Sequence, residues 1–323
     1  MMNLLLSFKS KSLIIESLLL GLWCATFDSD LMEKFNAWRD SGTGIHPFLV
    51  PKPKPLSTLL SLVKYRLVGP VLVLARLLLL LATALLFLVL DLAGLVLFGL
   101  IPAARYWWNR VIYILLRLAL FIMGFYYIKS TNLTLKKDES AIEMLICNHS
   151  SYVDILYLGF RYNPQFTRLA HDQFIRVNIY QALYYSVNLD IAPASKNMPL
   201  RASTPSQALC VFPEAATSNS TCLLKPLAGV LESLSKVYES NLATTLGITY
   251  PNTQFSPSYN QTSSFAVHLS KLLCQFSNYM CVVVSQAPVL KSMDVLCKST
   301  RLFKTSKTAL DKLEFIAYYN LKK

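Results

Sequence analysis

Charge is what this chain has least of. Only 15% of its 323 residues are charged, while 54% are hydrophobic. An ordinary soluble domain carries more charge, so the balance points to a globular core joined to membrane-embedded segments. Acidic residues are the scarcer sign, 18 against 31 basic, and the net charge is +13. A basic surface suits nucleic acid, anionic lipid or a phosphorylated substrate. There is no RNP, zinc-finger or helix-turn-helix pattern, so membrane lipid is the expected partner and nucleic acid is not. No CxxC pair or Cys/His spacing suited to a metal is present. The seven cysteines (24, 147, 210, 222, 274, 281 and 297) are scattered. They read as reduced core residues in an intracellular setting. No metal and no bound cofactor is expected. No G-x-S-x-G elbow occurs, which leaves a hydrolase built on a serine near Ser150 or Ser218 without its usual frame. No internal repeat is found.

Long apolar runs are what the chain does have. Val68 to Leu100 carries two charges, Arg76 and Asp91. A single membrane span needs about 20 apolar residues, so this stretch fits a tilted helix, a plain span with basic anchors, or a re-entrant hairpin. Lys64 and Arg66 flank it on one side, Arg105 and Arg110 on the other. Positive charge at both ends suits a hairpin with both ends cytosolic. Tyr106-Trp107-Trp108 reads as an interfacial anchor. Val111 to Tyr127 is a second helix-like apolar stretch, lying on the membrane or crossing it. Upstream, Leu13 to Trp23 reads either as a signal-like helix or as part of a leader before translation from Met32. Pro51-Lys52-Pro53-Lys54-Pro55 is an extended basic spacer. The organisation expected is residues 1–55 as leader and polar segment, 56–130 as membrane helices, and 131–323 as a catalytic domain.

That domain reads as α/β, a mixed sheet flanked by helices. Strands are expected at Ala141–Cys147, Asn188–Ala192, Ala208–Phe212, Thr245–Thr249 and Cys281–Val284. Helices are expected at Tyr152–Arg161, Asp172–Ser186, Leu223–Glu239, Ser263–Phe276 and Thr305–Tyr319. Pro251 to Ser264 is a loop. The basic C-terminal stretch (Lys298, Arg301, Lys304, Lys307) reads as a solvated helical face or as a contact for lipid headgroups.

Two blocks carry chemistry. Asn148-His149-Ser150-Ser151-Tyr152-Val153-Asp154 follows the first strand, and Phe212-Pro213-Glu214 follows the third. Polar residues at carboxyl strand ends are where open α/β sheets place their sites. Ser150 or Ser151 suits the cap of the helix beginning near Tyr152. A turn there lets Asp154 hold one ring nitrogen of His149 and leave the other as a base for an alcohol proton. Such a pair recurs by chance and does not carry the assignment alone. Glu214, in a turn followed by small and hydroxylic residues, is placed to hold a substrate hydroxyl or to orient a lysine.

The two blocks together resemble those of the glycerolipid acyltransferase family. Asn148-His149 with Asp154 is similar to its NHxxxxD block. Phe212-Pro213-Glu214-Ala215-Ala216-Thr217-Ser218-Asn219 is similar to its FPEGTRSNG block, and Thr249-Tyr250-Pro251 to a later strand. Upstream, Met32-Glu33-Lys34-Phe35, Trp38-Arg39-Asp40 and Gly42-Thr43-Gly44-Ile45 resemble the start of fungal lysophosphatidic acid acyltransferases of endoplasmic reticulum and lipid droplets. The resemblance implies that His149 deprotonates the free hydroxyl of a lysophospholipid and that Asp154 orients it. The oxygen then attacks the thioester of acyl-CoA, a co-substrate, with no covalent acyl-enzyme. It implies an acceptor site of Asn148, Phe212, Pro213, Glu214, Thr217 and Ser218. Lysophosphatidic acid and an oleoyl donor are the implied substrates. The cysteines are then bystanders, and Cys147 is a buried strand residue.

The chain departs from the family at Ala215-Ala216-Thr217, where the block reads Gly-Thr-Arg. A threonine does not replace an arginine fork on phosphate. Lys225, Lys196 and Arg201 are candidates to supply the charge. The departure also motivates an alternative, a weak or inactive membrane or lipid-droplet protein that keeps the fold. Glycosylation patterns at Asn132, Asn148, Asn219 and Asn260 offer a check on topology. A glycan on Asn148 is incompatible with the proposed site, so the domain is expected to face the cytosol.

Overall fold

The computed structural model describes residues 35–51, 61, 63–100, 104–133, 142–170, 173–189, 208–237, 242–251 and 255–322. Among the described residues a 3-10 turn (Asn36–Trp38) precedes two α-helices, α1 (Gly69–Leu100, preceded by a π-helical turn Val63–Val68) and α2 (Ala104–Ile122). Among the described residues nine strands and six α-helices follow: β1 (Ile128–Asn132), β2 (Met144–Cys147), α3 (Tyr152–Arg161), β3 (Gln165–Ala170), β4 (Gln173–Val177), α4 (Ile179–Val187), β5 (Leu209–Val211), β6 (Cys222–Leu223), α5 (Val230–Val237), β7 (Leu242–Thr249), α6 (Phe265–Leu273), β8 (Met280–Pro288), α7 (Ser292–Thr300), β9 (Phe303–Lys304) and α8 (Ala309–Lys322).

Seven strands make one mixed sheet in the order β1-β8-β7-β2-β5-β3-β4. Strands β7, β2, β5 and β3 run parallel as neighbours. β8 is antiparallel to β7, and β4 to β3. Every residue of β2 and β5 is buried, as a sheet covered on both faces requires. The period of two sorts them. Leu145, Cys147 and Cys210 face a core shared with α2, α3, α4 and α6. Met144, Ile146, Leu209 and Val211 face one shared with α5 and α7. β6 and β9 form a separate parallel pair.

Several elements differ from the sequence expectation. The helix expected at Asp172–Ser186 is strand β4 followed by the shorter α4. Phe174 and Val177 alternate into the core, and Asn178 with Gln181 forms a capping box that starts the helix only there. The helix expected from Leu223 begins at Val230, because Pro226 and a left-handed Gly229 (φ 75°) break the segment before it. Thr305 to Lys307 is not helical. α8 starts after Thr308, whose N–H and hydroxyl both donate to Asp311. Asn188 and Leu189 lie outside any strand, and the rest of that expected strand lies outside the described residues. β1 and β3 were not expected. The second apolar helix ends at Ile122, short of Tyr127.

No bend interrupts Gly69–Leu100, so a re-entrant turn inside that stretch is excluded. Val63–Gly94 is long and apolar enough to cross a membrane. Many of its apolar side chains face outward, among them Val71, Leu78 and Leu85. α1 packs against α2 and also lies lengthwise on the α/β unit. At one end the Lys64 ammonium donates to Gln275 Oε1 (2.7 Å). Further along, Tyr180 of α4 donates to Asp91 (3.0 Å). At 1.5 Å per residue those contacts are about 40 Å apart.

The polar stretch before Pro51 joins the same unit. Phe35, Phe48 and Leu49 share a buried cluster with Ala216, Leu224, Ala309 and Phe315. Asp40 accepts from the N–H and hydroxyl of Ser306 (2.8 and 2.6 Å). α8 is therefore docked rather than solvated all round: Ala309, Lys312 and Phe315 are its buried face.

Candidate active site

Strands β7, β2 and β5 end at one edge of the sheet, and each delivers a side chain there. From β2 comes His149. From β5 comes Glu214. From β7 comes Tyr250. The turn after β2 is shaped by the start of α3. Ser151 caps that helix, and Asp154, at its third position, completes a capping box. Asp154 Oδ2 accepts from the Ser150 and Ser151 N–H groups (2.7 and 2.8 Å). The same oxygen lies 3.2 Å from His149 Nδ1, and the buried Tyr250 hydroxyl donates to Oδ1. Burial, and then the neighbouring Asp154, push the Tyr250 pKa well above the ordinary tyrosine value. Tyr250 thus remains a donor.

With Asp154 as acceptor, Nδ1 of His149 carries the proton in the neutral ring. Nε2 makes no hydrogen bond among the described residues. The Phe212 ring stacks on the imidazole, centroids 4.5 Å apart and planes 29° apart. The main chain of His149 is held from the second block at both its polar groups. Its N–H donates to Glu214 Oε1 (3.2 Å), and its carbonyl accepts from Ser218 N–H (2.9 Å).

No match to this chain is found among protein-family models, curated proteins or solved structures. The local geometry therefore carries the reading of the site.

The other expected residues separate by environment. Glu214 is fully buried. Its second oxygen accepts from Leu224 N–H (2.9 Å), so both oxygens serve the protein backbone. Burial pushes its pKa up to about 8, with Asp154 adding to the rise; the two backbone donors and Lys312 act the other way. Asn148 pairs its amide with both main-chain groups of Ile248 (2.9 and 2.7 Å), continuing the ladder between β2 and β7. Pro213 and Ser218 are buried, and the Ser218 hydroxyl has no partner among the described residues. Thr217 is buried and donates to the Tyr259 carbonyl (2.7 Å). Lys225 is exposed. Lys196 and Arg201 lie outside the described residues.

Two participants were not read from the sequence as partners of these blocks. Tyr250 figured only as part of a late strand. Lys312 was not singled out, although its spacing from Ala309 and Phe315 puts it on their helix face. Its ammonium is fully buried and reaches Thr217. Among the described residues no group of three or more His, Cys, Asp or Glu is placed to hold a metal.

Proposed function

We propose that this protein is an acyl-CoA-dependent lysophospholipid acyltransferase of the glycerolipid acyltransferase family. The observation that carries the reading is the His149–Asp154 contact at a carboxyl strand edge, with Nε2 left as the available base. In this reading Nε2 takes the proton from the acceptor's free glycerol hydroxyl. The oxygen attacks the thioester carbonyl of acyl-CoA, the C–S bond breaks, and the proton on Nε2 passes to the CoA thiolate. Asp154 fixes the ring and stabilises its charged form. Lysophosphatidic acid is the acceptor, phosphatidic acid the product, and oleoyl the donor chain.

A backbone detail supports the family. Ala215 sits at φ 55°, a left-handed conformation that favours glycine. Glycine is what the family's second block carries there. The outward apolar face of α1 supports a membrane protein. Contacts along its length with the α/β unit favour a helix lying in one face of the bilayer over one crossing it upright. We place the protein at the endoplasmic reticulum or lipid-droplet surface, with its site toward cytosolic acyl-CoA. Asn148, Asn219 and Asn260 are all buried, so a glycan at any of them conflicts with this fold.

The test is transfer of labelled oleoyl chains by membranes containing the full chain, across a panel of lysophospholipids. His149→Ala is expected to lower transfer by at least ~10²-fold, the lower end for general-base loss. Equal incorporation by wild type and variant for every acceptor, from folded protein, would sink the proposal and favour a non-catalytic membrane protein.

A further inference from the structure

The mechanism above gives no role to one fully buried lysine. Lys312 is fully buried in α8. Its Nζ donates to the Thr217 carbonyl (2.7 Å) and to the Thr217 hydroxyl (2.5 Å). Thr217 passes the contact on to the Tyr259 carbonyl. Burial pushes the Lys312 pKa well below the ordinary lysine value, and Glu214 acts the other way. Apolar neighbours surround the helix face, with Ala309 and Phe315 buried beside it. Placing an ammonium there costs several kcal/mol of desolvation. An aliphatic side chain would fill the same space without that cost, so packing alone does not account for a lysine.

The geometry shows what the ammonium holds. Thr217 lies between Glu214 and Ser218, the two residues that grip the main chain of His149. Two bonds from Lys312 fix the intervening residue at both its carbonyl and its side chain. A turn containing left-handed Ala215 has little intrinsic stability. It is pinned from outside, by a residue 95 positions further along the chain.

We propose that Lys312 is a positioning residue of the active site: its ammonium clamps the Glu214–Ser218 turn beneath His149, and does not itself bind the acceptor. This rests on the acyltransferase reading for its catalytic consequence, but not for its structural one. A cation is thereby brought to Thr217, the position at which the family's second block has arginine. Here the cation serves the turn and not a phosphate.

The experiment compares wild type, Lys312→Met, Lys312→Arg and Thr217→Val as full chains in detergent. Two readouts are taken, steady-state acyl transfer and the NMR signals of isotopically labelled histidine rings. Lys312→Met keeps length and apolar volume and drops the charge. It is expected to lower kcat at least 30-fold, with KM for oleoyl-CoA changed less than threefold. It should shift the His149 signal while that of His268, on α6, stays in place. Lys312→Arg should recover at least a third of the lost kcat on a logarithmic scale. If Lys312→Met does not fold, Thr217→Val decides: it removes one of the two bonds and should lower kcat three- to tenfold with the same His149 shift. A kcat within threefold of wild type together with an unmoved His149 signal overturns the proposal. So does a shift of every histidine signal in step with lost thermal stability, which marks a merely structural lysine. Wild-type protein that transfers no acyl chain overturns the acyltransferase reading instead, and the histidine signals alone then decide the clamp.

Discussion

Ala215 shows how a single residue records a compromise. Its left-handed backbone costs about 1–2 kcal/mol for an L-residue with a Cβ. Glycine removes that cost but adds about 0.5–1 kcal/mol of unfolded-state entropy. Ala215→Gly is therefore expected to stabilise the protein by roughly 0.5–1 kcal/mol, read as a higher urea midpoint at unchanged slope. A lower midpoint would mean that the turn does not hold this conformation. At this scale the site was half legible in the sequence. His149, Asp154 and the Ser151 cap lie within one strand–turn–helix, so local rules place them. Tyr250 and Lys312 are 96 and 95 residues from the groups they bind, and no local pattern announces such a meeting. Glu214, expected to hold a substrate hydroxyl or to orient a lysine, has each carboxyl oxygen on a backbone N–H donor, an arrangement no local pattern announces.

Arg76 joins two elements. It projects from α1 onto the end of α6, where the last carbonyls of a helix lack partners. Its guanidinium donates to the carbonyls of Leu273 (2.8 Å), Gln275 and Phe276 (3.0 Å), and to the Tyr126 hydroxyl. A cation is also favourable against the negative end of a helix. Arg76→Leu keeps the apolar stem and leaves those carbonyls unmet. At about 1 kcal/mol or more for each, the expected loss is on the order of 3 kcal/mol, measured by thermal unfolding in detergent. An unchanged midpoint would show that water or lipid replaces the arginine freely. Elements were legible where burial writes a pattern. The buried runs of β2 and β5 and the helix α3 stand out in the sequence. β1 does not, because four of its five residues are exposed at the sheet edge. β4 does not stand out either, because Phe174 and Val177 bury into opposite faces of the sheet, and their spacing of three suits a helix face as well.

The molecule as a whole is closed by distant segments. Residues 35–49 and α8 share one aromatic cluster: Phe35 packs edge-on against Phe315, and His46 against Phe48 and Phe315. His46 accepts from Phe48 N–H and Leu49 N–H on Nδ1 and meets the Phe35 carbonyl through Nε2, so this network needs the neutral ring. Burial holds its pKa down at about 4 from the ordinary 6.5, with Arg39 and Lys307 adding to the fall. A base with a depressed folded pKa gives stability that is present above pH 6.5 and lost as pH falls from 6.5 through 4. The loss is at most about 3 kcal/mol. Urea unfolding at pH 7 and pH 4 should show wild type losing more stability than His46→Gln; equal losses would remove His46 as the cause. The Asp40–Ser306 bond in the same region joins residues 266 apart. Closing a free loop of that length costs about 5 kcal/mol of chain entropy, so this contact forms only after the sheet has shortened the path between its ends. The segment that steadies the Glu214–Ser218 turn is consequently placed after the sheet has formed. On the acyltransferase reading proposed above, a newly made chain reaches the bilayer before it acquires chemistry, and its reactivity matures after its location is settled.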